Sequence, residues 1–261
     1  MPTPRTTEQF TRGRPLSADD FRDQARHVAR DLLGTLLVVE TPSERSSDEP
    51  RLSPVGGMPS ELRSDATPRS PVGGLIVETE AYVNGVDPAS HLAAGRTPRT
   101  ASFFSGPGTV YVYTIHGHHA LNVITVSDGY PEGVLIRAVE PTHGCDVMCD
   151  RRDFDDPGKL TAGPGRLTEA LGVTTDEFDD RQLAETPLSL YETDLDPDIT
   201  VSGRIGVSDA ADWPLRFTVT DNAFVSRPVP ADESLNDDAV ERCYDRLGEH
   251  CQDAYAIDED H

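Results

Sequence analysis

GLIVETEAYVNGVDPASH runs from Gly74 to His91, and the strand at its head decides how the rest of the chain is read. Taken with period two, IVETEAY puts Glu78, Glu80 and Tyr82 on one face and Val77 and Ala81 on the other. A carboxylate and an aromatic ring therefore share a surface. Downstream, GPGTVYVYTIHGHHALNV (Gly106 to Val123) carries a second strand whose alternation gathers Tyr111, Tyr113 and Ile115, and GVLIRAVEP (Gly133 to Pro141) carries a third. Two aromatic-bearing strands can wall a flat slot with an acid at one end.

Outward from this region the chain alternates strand and helix signals. Met1 to Pro15 is polar, with a loose tip expected. Ser17 with Asp20 three residues on forms a capping-box pattern, and Phe21, Ala25, Val28 and Leu32 trace the apolar stripe of one helix that Gly34 ends. Thr35 to Glu40 reads as a strand. Residues 41–74 are rich in Ser, Pro, Gly and mixed charge and repeat SPVGG at Ser53 and Ser70, which reads as a mobile insertion in a hairpin. Helices are expected over Gly144 to Arg152 and after Gly163-Pro-Gly, with Leu167, Ala170 and Leu171 on one side. Strands follow at Ile199 to Val207 and Leu215 to Val219. Leu235, Ala239, Cys243 and Leu247 fall four apart, so Ser234 to Gln252 reads as an acidic amphipathic helix. The main domain spans 16–227 and an acidic C-terminal extension spans 228–261.

The chain has 261 residues, enough for one sizeable core, and a formal net charge of -23, the wrong sign for a nucleic-acid binder in ordinary salt. The charge is uneven. Residues 176–198 hold nine acids against Arg181, and 228–261 hold eleven against Arg242 and Arg246, whereas 75–140 hold six acids and three arginines. Lys159 is the only lysine. Acid enrichment with lysine nearly eliminated along the whole chain looks like adaptation to a high-salt, halophilic cytoplasm. There the screening length falls to roughly 3 Å at 1 M and an acidic surface repels polyanions far less. Cys145, Cys149, Cys243 and Cys251 lack zinc-knuckle spacing and read as reduced structural thiols of an intracellular protein; no apolar run reaches transmembrane length.

The strand motifs together resemble the alkyladenine (3-methyladenine, methylpurine) DNA glycosylase family. Its hallmarks are a V-E-T-E-A-Y strand, a downstream His, P-G-T-x-Y-V-Y, L-x-R-A-x-E-P and, as a fifth match, AGPGRL at Ala162 to Leu167. The resemblance covers about Phe21 to Phe224. It implies one mixed α/β domain of the α+β type, a curved, mainly antiparallel sheet or open roll with surrounding helices and a projecting β-hairpin. It implies a monofunctional base-excision-repair hydrolase that flips alkylated or deaminated purines out of double-stranded DNA and leaves an abasic site, as a cytoplasmic, nucleoid-associated monomer with no cofactor, metal or membrane. Glu80 would activate the water, with Arg137 beside it and Glu78 as the fallback. Tyr82, His91 and Tyr113 would hold the base, and Asn122 would exclude the 2-amino group of normal guanine, although the Tyr113 to Asn122 interval is one residue shorter than usual. His116 stands where the family places an intercalating tyrosine, and Arg96, Arg99 and Arg166 would contact the DNA backbone. Two other readings stand beside this one: a damaged-DNA binding protein without turnover, and a metallohydrolase using His116, His118 and His119.

Composition alone generates one testable outcome. The folded fraction by circular dichroism, and base release with it, rises from dilute buffer into molar potassium chloride before counterion competition reduces DNA affinity. Full structure and activity in dilute buffer, with steady inhibition as salt is added, would contradict the high-salt reading.

Overall fold

The two longest strands, β3 (Arg69–Tyr82) and β6 (Tyr130–His143), lie side by side and organise everything else. The computed structural model describes residues 2–42, 69–83, 86–154, 156–235, 240–242 and 244. Around the central pair stand β1 (Arg12–Pro15), β2 (Leu36–Pro42), β4 (Thr109–Ile115), β5 (His118–Ser127), β7 (Arg181–Gln182) and β8 (Leu188–Thr193). Their order across the sheet is β1-β8-β2-β3-β6-β5-β4-β7, every ladder antiparallel. β9 (Ile199–Ser202) and β10 (Arg216–Val219) complete ten strands among the described residues, β10 pairing with both β3 and β9.

β3 changes partners partway along one edge. Its first half, from Arg69 to Leu75, pairs with β2, and Glu78 to Glu80 pair with β10, while β6 follows the opposite edge from Gly73 to Tyr82. Between Ile76 and Thr79 the β3–β6 register slips once and recovers: Ile76 faces Val139, Glu78 faces Ala138 and Thr79 faces Ile136. Val77 on β3 and Arg137 on β6 are thus the extra residues of two compensating bulges. A bulge sharpens local twist and re-aims the side chain it carries. The freed Arg137 carbonyl accepts the Gly163 N–H, which docks the AGPGR turn on the sheet.

Helices cover one face: α1 (Ala25–Asp31), α2 (Cys145–Arg152), α3 (Pro157–Leu160), α4 (Pro164–Leu171) and α5 (Thr175–Phe178). The main core lies between them and the sheet, with Val28 and Ala29 of α1, Met148 of α2 and Leu167 and Leu171 of α4 against Ile76, Leu121, Val123 and Ile136. Thr79 donates its hydroxyl to the Ala29 carbonyl at 2.7 Å, which fixes α1 between the two glutamates of β3.

The mixed α/β architecture agrees with the sequence reading, and five local expectations are revised. Val77 does not share the Ala81 side: it packs with Ala138 and Phe224 in a separate cluster because the bulge rotates it. The single helix expected from Ser17 is a 3-10 turn (Ala18–Phe21) with the Ser17/Asp20 capping box, followed by α1. The break is stabilised where the Asp23 carboxylate accepts the Gln24 N–H and the Glu132 carboxylate, from β6, accepts the Ala25 N–H at 2.6 Å. The second SPVGG is strand, not loop. Gly73 and Gly74 are needed there because a Cβ would collide with the Leu37 and Glu140 carbonyls; residues 43–68 of the insertion lie outside the described residues. The N-terminal segment is tied down from Arg5, whose backbone N–H and guanidinium bind Glu140, and β1 pairs with β8. The strand expected over Ile199 to Val207 ends at Ser202, where Gly203 approaches the Ala211 carbonyl too closely for a side chain and the chain turns away. Most of the span Ser234 to Gln252, expected as a helix, lies outside the described residues; positions 240–242 and 244 are helical, and Val240 is buried in the core.

Glu132→Ala should destabilise the fold by roughly 1–2 kcal/mol, because the first turn of α1 loses an anionic acceptor at its N-terminus. Urea denaturation reads this as a lower midpoint at unchanged slope; an unchanged midpoint would mean that α1 does not depend on this contact.

Candidate active site

A cavity of about 390 Å³ opens at the end of β3 that carries Glu80 and Tyr82. Its walls come from four strands and two loops: Tyr82 of β3, Tyr111, Tyr113 and Ile115 of β4, Asn122 of β5, Leu135 and Arg137 of β6, and the loops bearing Ser90–His91 and Ile205–Asp209. The aromatic wall expected from VYVYTI is present.

Glu80 is fully buried immediately behind this wall. Its Oε2 accepts the Tyr82 hydroxyl at 3.0 Å and Arg137 Nη1 at 3.1 Å, and its Oε1 accepts the Ile205 N–H at 2.7 Å. All three donor residues also line the cavity. Burial pushes the Glu80 carboxyl above the usual carboxylate range, against the pull of Arg137, the Ile205 amide and the Tyr82 hydroxyl. Tyr82 stays protonated and donating: burial first, then the Glu80 charge, raise its phenol far above the ordinary value. For Arg137, burial opposes the charge, but Glu80 and Glu78 outweigh it and the guanidinium is held more firmly protonated.

Glu78 also reaches Arg137, through Nε at 3.1 Å, yet it has a different environment. Like Glu80 it is fully buried and outside the cavity lining, but its two oxygens accept Arg137, Arg216 Nε at 2.8 Å, and the backbone N–H and hydroxyl of Ser226. Oε1 takes three of these donors and Oε2 one. Glu80 accepts three and retains room for another.

His91 sits on a single 3-10 turn capped by Ser90 and meets Tyr113 edge-on, with ring centroids 4.6 Å apart. Arg99 Nη2 lies 3.2 Å from Nε2, and Nδ1 lies 2.9 Å from the Tyr111 hydroxyl. A guanidinium only donates, so Nε2 is the bare nitrogen and Nδ1–H points to Tyr111. Burial, then the Arg99 charge, lowers the His91 pKa to about 4, which makes the ring neutral at physiological pH. Burial likewise pushes the Tyr111 phenol up to about 12. Asn122 donates its amide hydrogens to the Tyr111 and Ala120 carbonyls at 3.1 and 3.3 Å, which locks it in place despite the shortened interval.

The remaining sequence candidates lie on the rim. His116 and Gly117, with φ of 51° and 81°, form the two-residue turn between Ile115 and His118, the type I′ geometry that closes a tight hairpin. His116 is exposed at that tip, beside Ile115, which is 46% exposed. Arg96 stacks on Phe104, Arg99 is drawn toward His91 and Tyr113, and Arg166 leans on the Ala162 carbonyl; all three are exposed. His119 bonds Thr175, and among the described residues no three His, Cys, Asp or Glu side chains converge as a metal site. Lys159, on α3, does not line the cavity.

Sequence reasoning missed the loop after β9. Arg204 is buried, paired through both terminal nitrogens with Asp87, bonded to the Ala81 carbonyl and stacked 4.8 Å from the Tyr82 ring. That one guanidinium pins the loops on both sides of the cavity and presents the Ile205 N–H to Glu80. The only signal in the sequence is an arginine inside SGRIG; its acidic partner is more than a hundred residues away.

A relative from Bacillus subtilis, provisionally named a 3-methyladenine DNA glycosylase, is 38% identical over 217 residues, covering 82% of this chain and 97% of its own length. One from Oceanobacillus iheyensis with the same provisional name is 37% identical over 217 residues, covering 82% and 96%. Another from Methanoculleus marisnigri is 44% identical over 158 residues, covering 58% and 81%. The family model described as methylpurine-DNA glycosylase (MPG) matches residues 60–223, from the strand that carries Glu78 and Glu80 through the loop that presents Ile205 and on past β10. The chain belongs to the methylpurine-DNA glycosylase family.

Proposed function

We propose that the protein is a monofunctional base-excision-repair glycosylase that takes an alkylated or deaminated purine from double-stranded DNA into the cavity and cuts its N-glycosidic bond with water. The observation that carries this reading is the convergence on buried Glu80 of Tyr82 and Arg137, which line a cavity walled also by His91, Tyr113 and Asn122.

Cleavage at C1′ needs a base for water and a negative charge near the developing oxocarbenium centre. Glu80 supplies both. Water at the Arg137 and Ile205 edge of the cavity would reach its spare acceptor site, and burial makes its carboxylate a stronger base than a solvated one. Tyr82 and Tyr113 offer ring faces, and neutral His91 adds a third planar surface with no charge to desolvate. Asn122, its amide spent on two carbonyls, is a wall that cannot swing aside for an exocyclic amine. The hairpin tip, with His116, faces the DNA, and Arg96, Arg99 and Arg166 take backbone phosphates. A Schiff-base route would require an amine, for which the chain offers Lys159 and the N-terminus, and Lys159 does not line the cavity.

Glu80→Gln should reduce release of methylpurines from methylated duplex DNA by on the order of a thousandfold while binding of damaged duplex persists. Wild-type release should fall as pH drops through a value above the usual glutamate range, because the reacting form is the ionised carboxylate and burial has raised its pKa. Retained activity in Glu80→Gln would remove Glu80 from this role, and binding without release in the wild-type protein would favour a non-catalytic reader of damage.

Asn122→Ser should open space for the 2-amino group and raise release of undamaged guanine, relative to methylpurines, by roughly tenfold. Competition between methylated and unmodified duplexes measures the ratio; an unchanged ratio would place discrimination elsewhere.

A further inference from the structure

We propose that Arg216 and Glu78 are positioning residues for base release, a buried pair behind the cavity that aims the Arg137 guanidinium and fixes how much of its charge reaches Glu80. The proposal rests on the assignment of Glu80 as the base.

Arg216 is only 1% exposed and is the largest fully buried side chain among the described residues. It lies on β10 directly opposite Glu80 in the strand register. Its Nε donates to Glu78 Oε1 at 2.8 Å, its Nη1 to Ser202, and its Nη2 to the Arg227 carbonyl. The same Glu78 oxygen accepts Arg137 Nε at 3.1 Å. The result is an alternating chain of charges, Arg216, Glu78, Arg137, Glu80, with the cavity at one end and β10 at the other. Neither Arg216 nor Glu78 lines the cavity.

A buried ion pair is a weak way to add stability, because desolvation offsets most of the attraction and apolar side chains of similar volume do as well. Here the pair has a directional effect on Arg137. With Nε held by Glu78, the guanidinium plane is set, Nη1 meets Glu80 and the Ile205 carbonyl, and Nη2 has no protein partner among the described residues while Arg137 forms part of the cavity wall. The Arg137 bulge on β6 makes this approach possible.

The charged and titratable groups that bear on Glu80 are Glu78 and Tyr82 from β3, Arg137 from β6, Tyr113 from β4, Arg204 from the loop after β9, and Arg216 through Glu78. Changing the two far members of the chain should therefore act on Glu80 in opposite senses. Glu78→Gln removes a neighbouring negative charge and leaves Arg137 to Glu80 alone. Arg216→Gln strips Glu78 of one counter-charge, so that Glu78 draws harder on Arg137.

The test is the single-turnover rate of methylpurine release from dimethyl sulfate-treated duplex DNA, measured against pH for the full chain and each variant. Glu78→Gln is expected to move the acid limb to lower pH and Arg216→Gln to higher pH, each by on the order of half a unit to one unit, with the plateau reduced and partly restored in Arg216→Lys. A lowered plateau with both limbs unmoved, or both limbs moved the same way, would make the pair purely structural and overturn the proposal. Should either charge variant fail to fold, Ser226→Ala decides. It keeps all four charges and removes one hydroxyl donor from Glu78: an upward limb supports the proposal and an unmoved limb overturns it. Glu80→Gln in the same assay separates the two claims, since its activity would remove the base itself, whereas an inactive Glu80→Gln beside unmoved limbs removes only the positioning role.

Discussion

Two carboxylates on one face of a buried strand, separated by a single residue, set the terms for the rest of the molecule. Leaving either uncompensated in the interior would cost several kcal/mol, and their mutual repulsion adds to that. Glu78 and Glu80 are both fully buried, so guanidiniums and backbone amides have to be brought to them from other parts of the chain. β6 contributes Arg137 by bulging, and β10 contributes Arg216 by taking over the edge that β2 gives up at Val77. The Ile205 and Ser226 amides come from the loop after β9 and the segment after β10. The partner exchange along β3 and the turns that follow β9 and β10 thus answer one electrostatic demand.

The cavity side is built differently. Its aromatic groups are neutral and hold one another edge-on, and His91 is kept uncharged by burial and by the donor-only Arg99. Among the lining residues the charge comes from Arg137, with Glu80 behind it, and from the exposed Asp209 on the loop after β9. A low-dielectric chamber with charge at one end concentrates that field on whatever bond is placed there, and fixed groups need no rearrangement when positive charge develops. The locked amide of Asn122 and the pinned Arg204–Asp87 loop serve the same rigidity from the other walls.

The sequence made the face-sharing of Glu78, Glu80 and Tyr82 legible because a half-buried strand repeats every two residues, and the same rule gathered Tyr111, Tyr113 and Ile115. It failed at Val77 because a bulge depends on the partner strand, and nothing in LIVETEAY states that Arg137 is inserted opposite. Arg204 and Arg216 were missed for a related reason. Each is a lone arginine in a short element, and the acid that explains it is distant in the chain. Arg216 did leave a trace: a charge between Leu215 and Phe217 in an apolar strand has to be paired inside. The helix stripe from Phe21 to Leu32 placed the buried residues correctly, but not the break, which is stabilised by Glu132 across the sheet.

β3 has two ends with unequal duties. Glu80 and Tyr82 stand at one, and Arg69, paired with Pro42, stands at the other, some eleven residues and roughly 36 Å of extended chain away. The described chain leaves the sheet at Pro42 and returns at Arg69, at that remote end. The hairpin therefore offers an attachment port: a fluorophore, an affinity tag or a second domain grafted between Pro42 and Arg69 enters the chain a full strand length from the cavity. Lengthening or shortening the segment leaves the Leu36 to Leu75 register, and the carboxylates beyond it, under the control of β2 and β6. The same geometry permits the segment to diverge in length and composition among relatives without altering the chemistry at the far end of the strand.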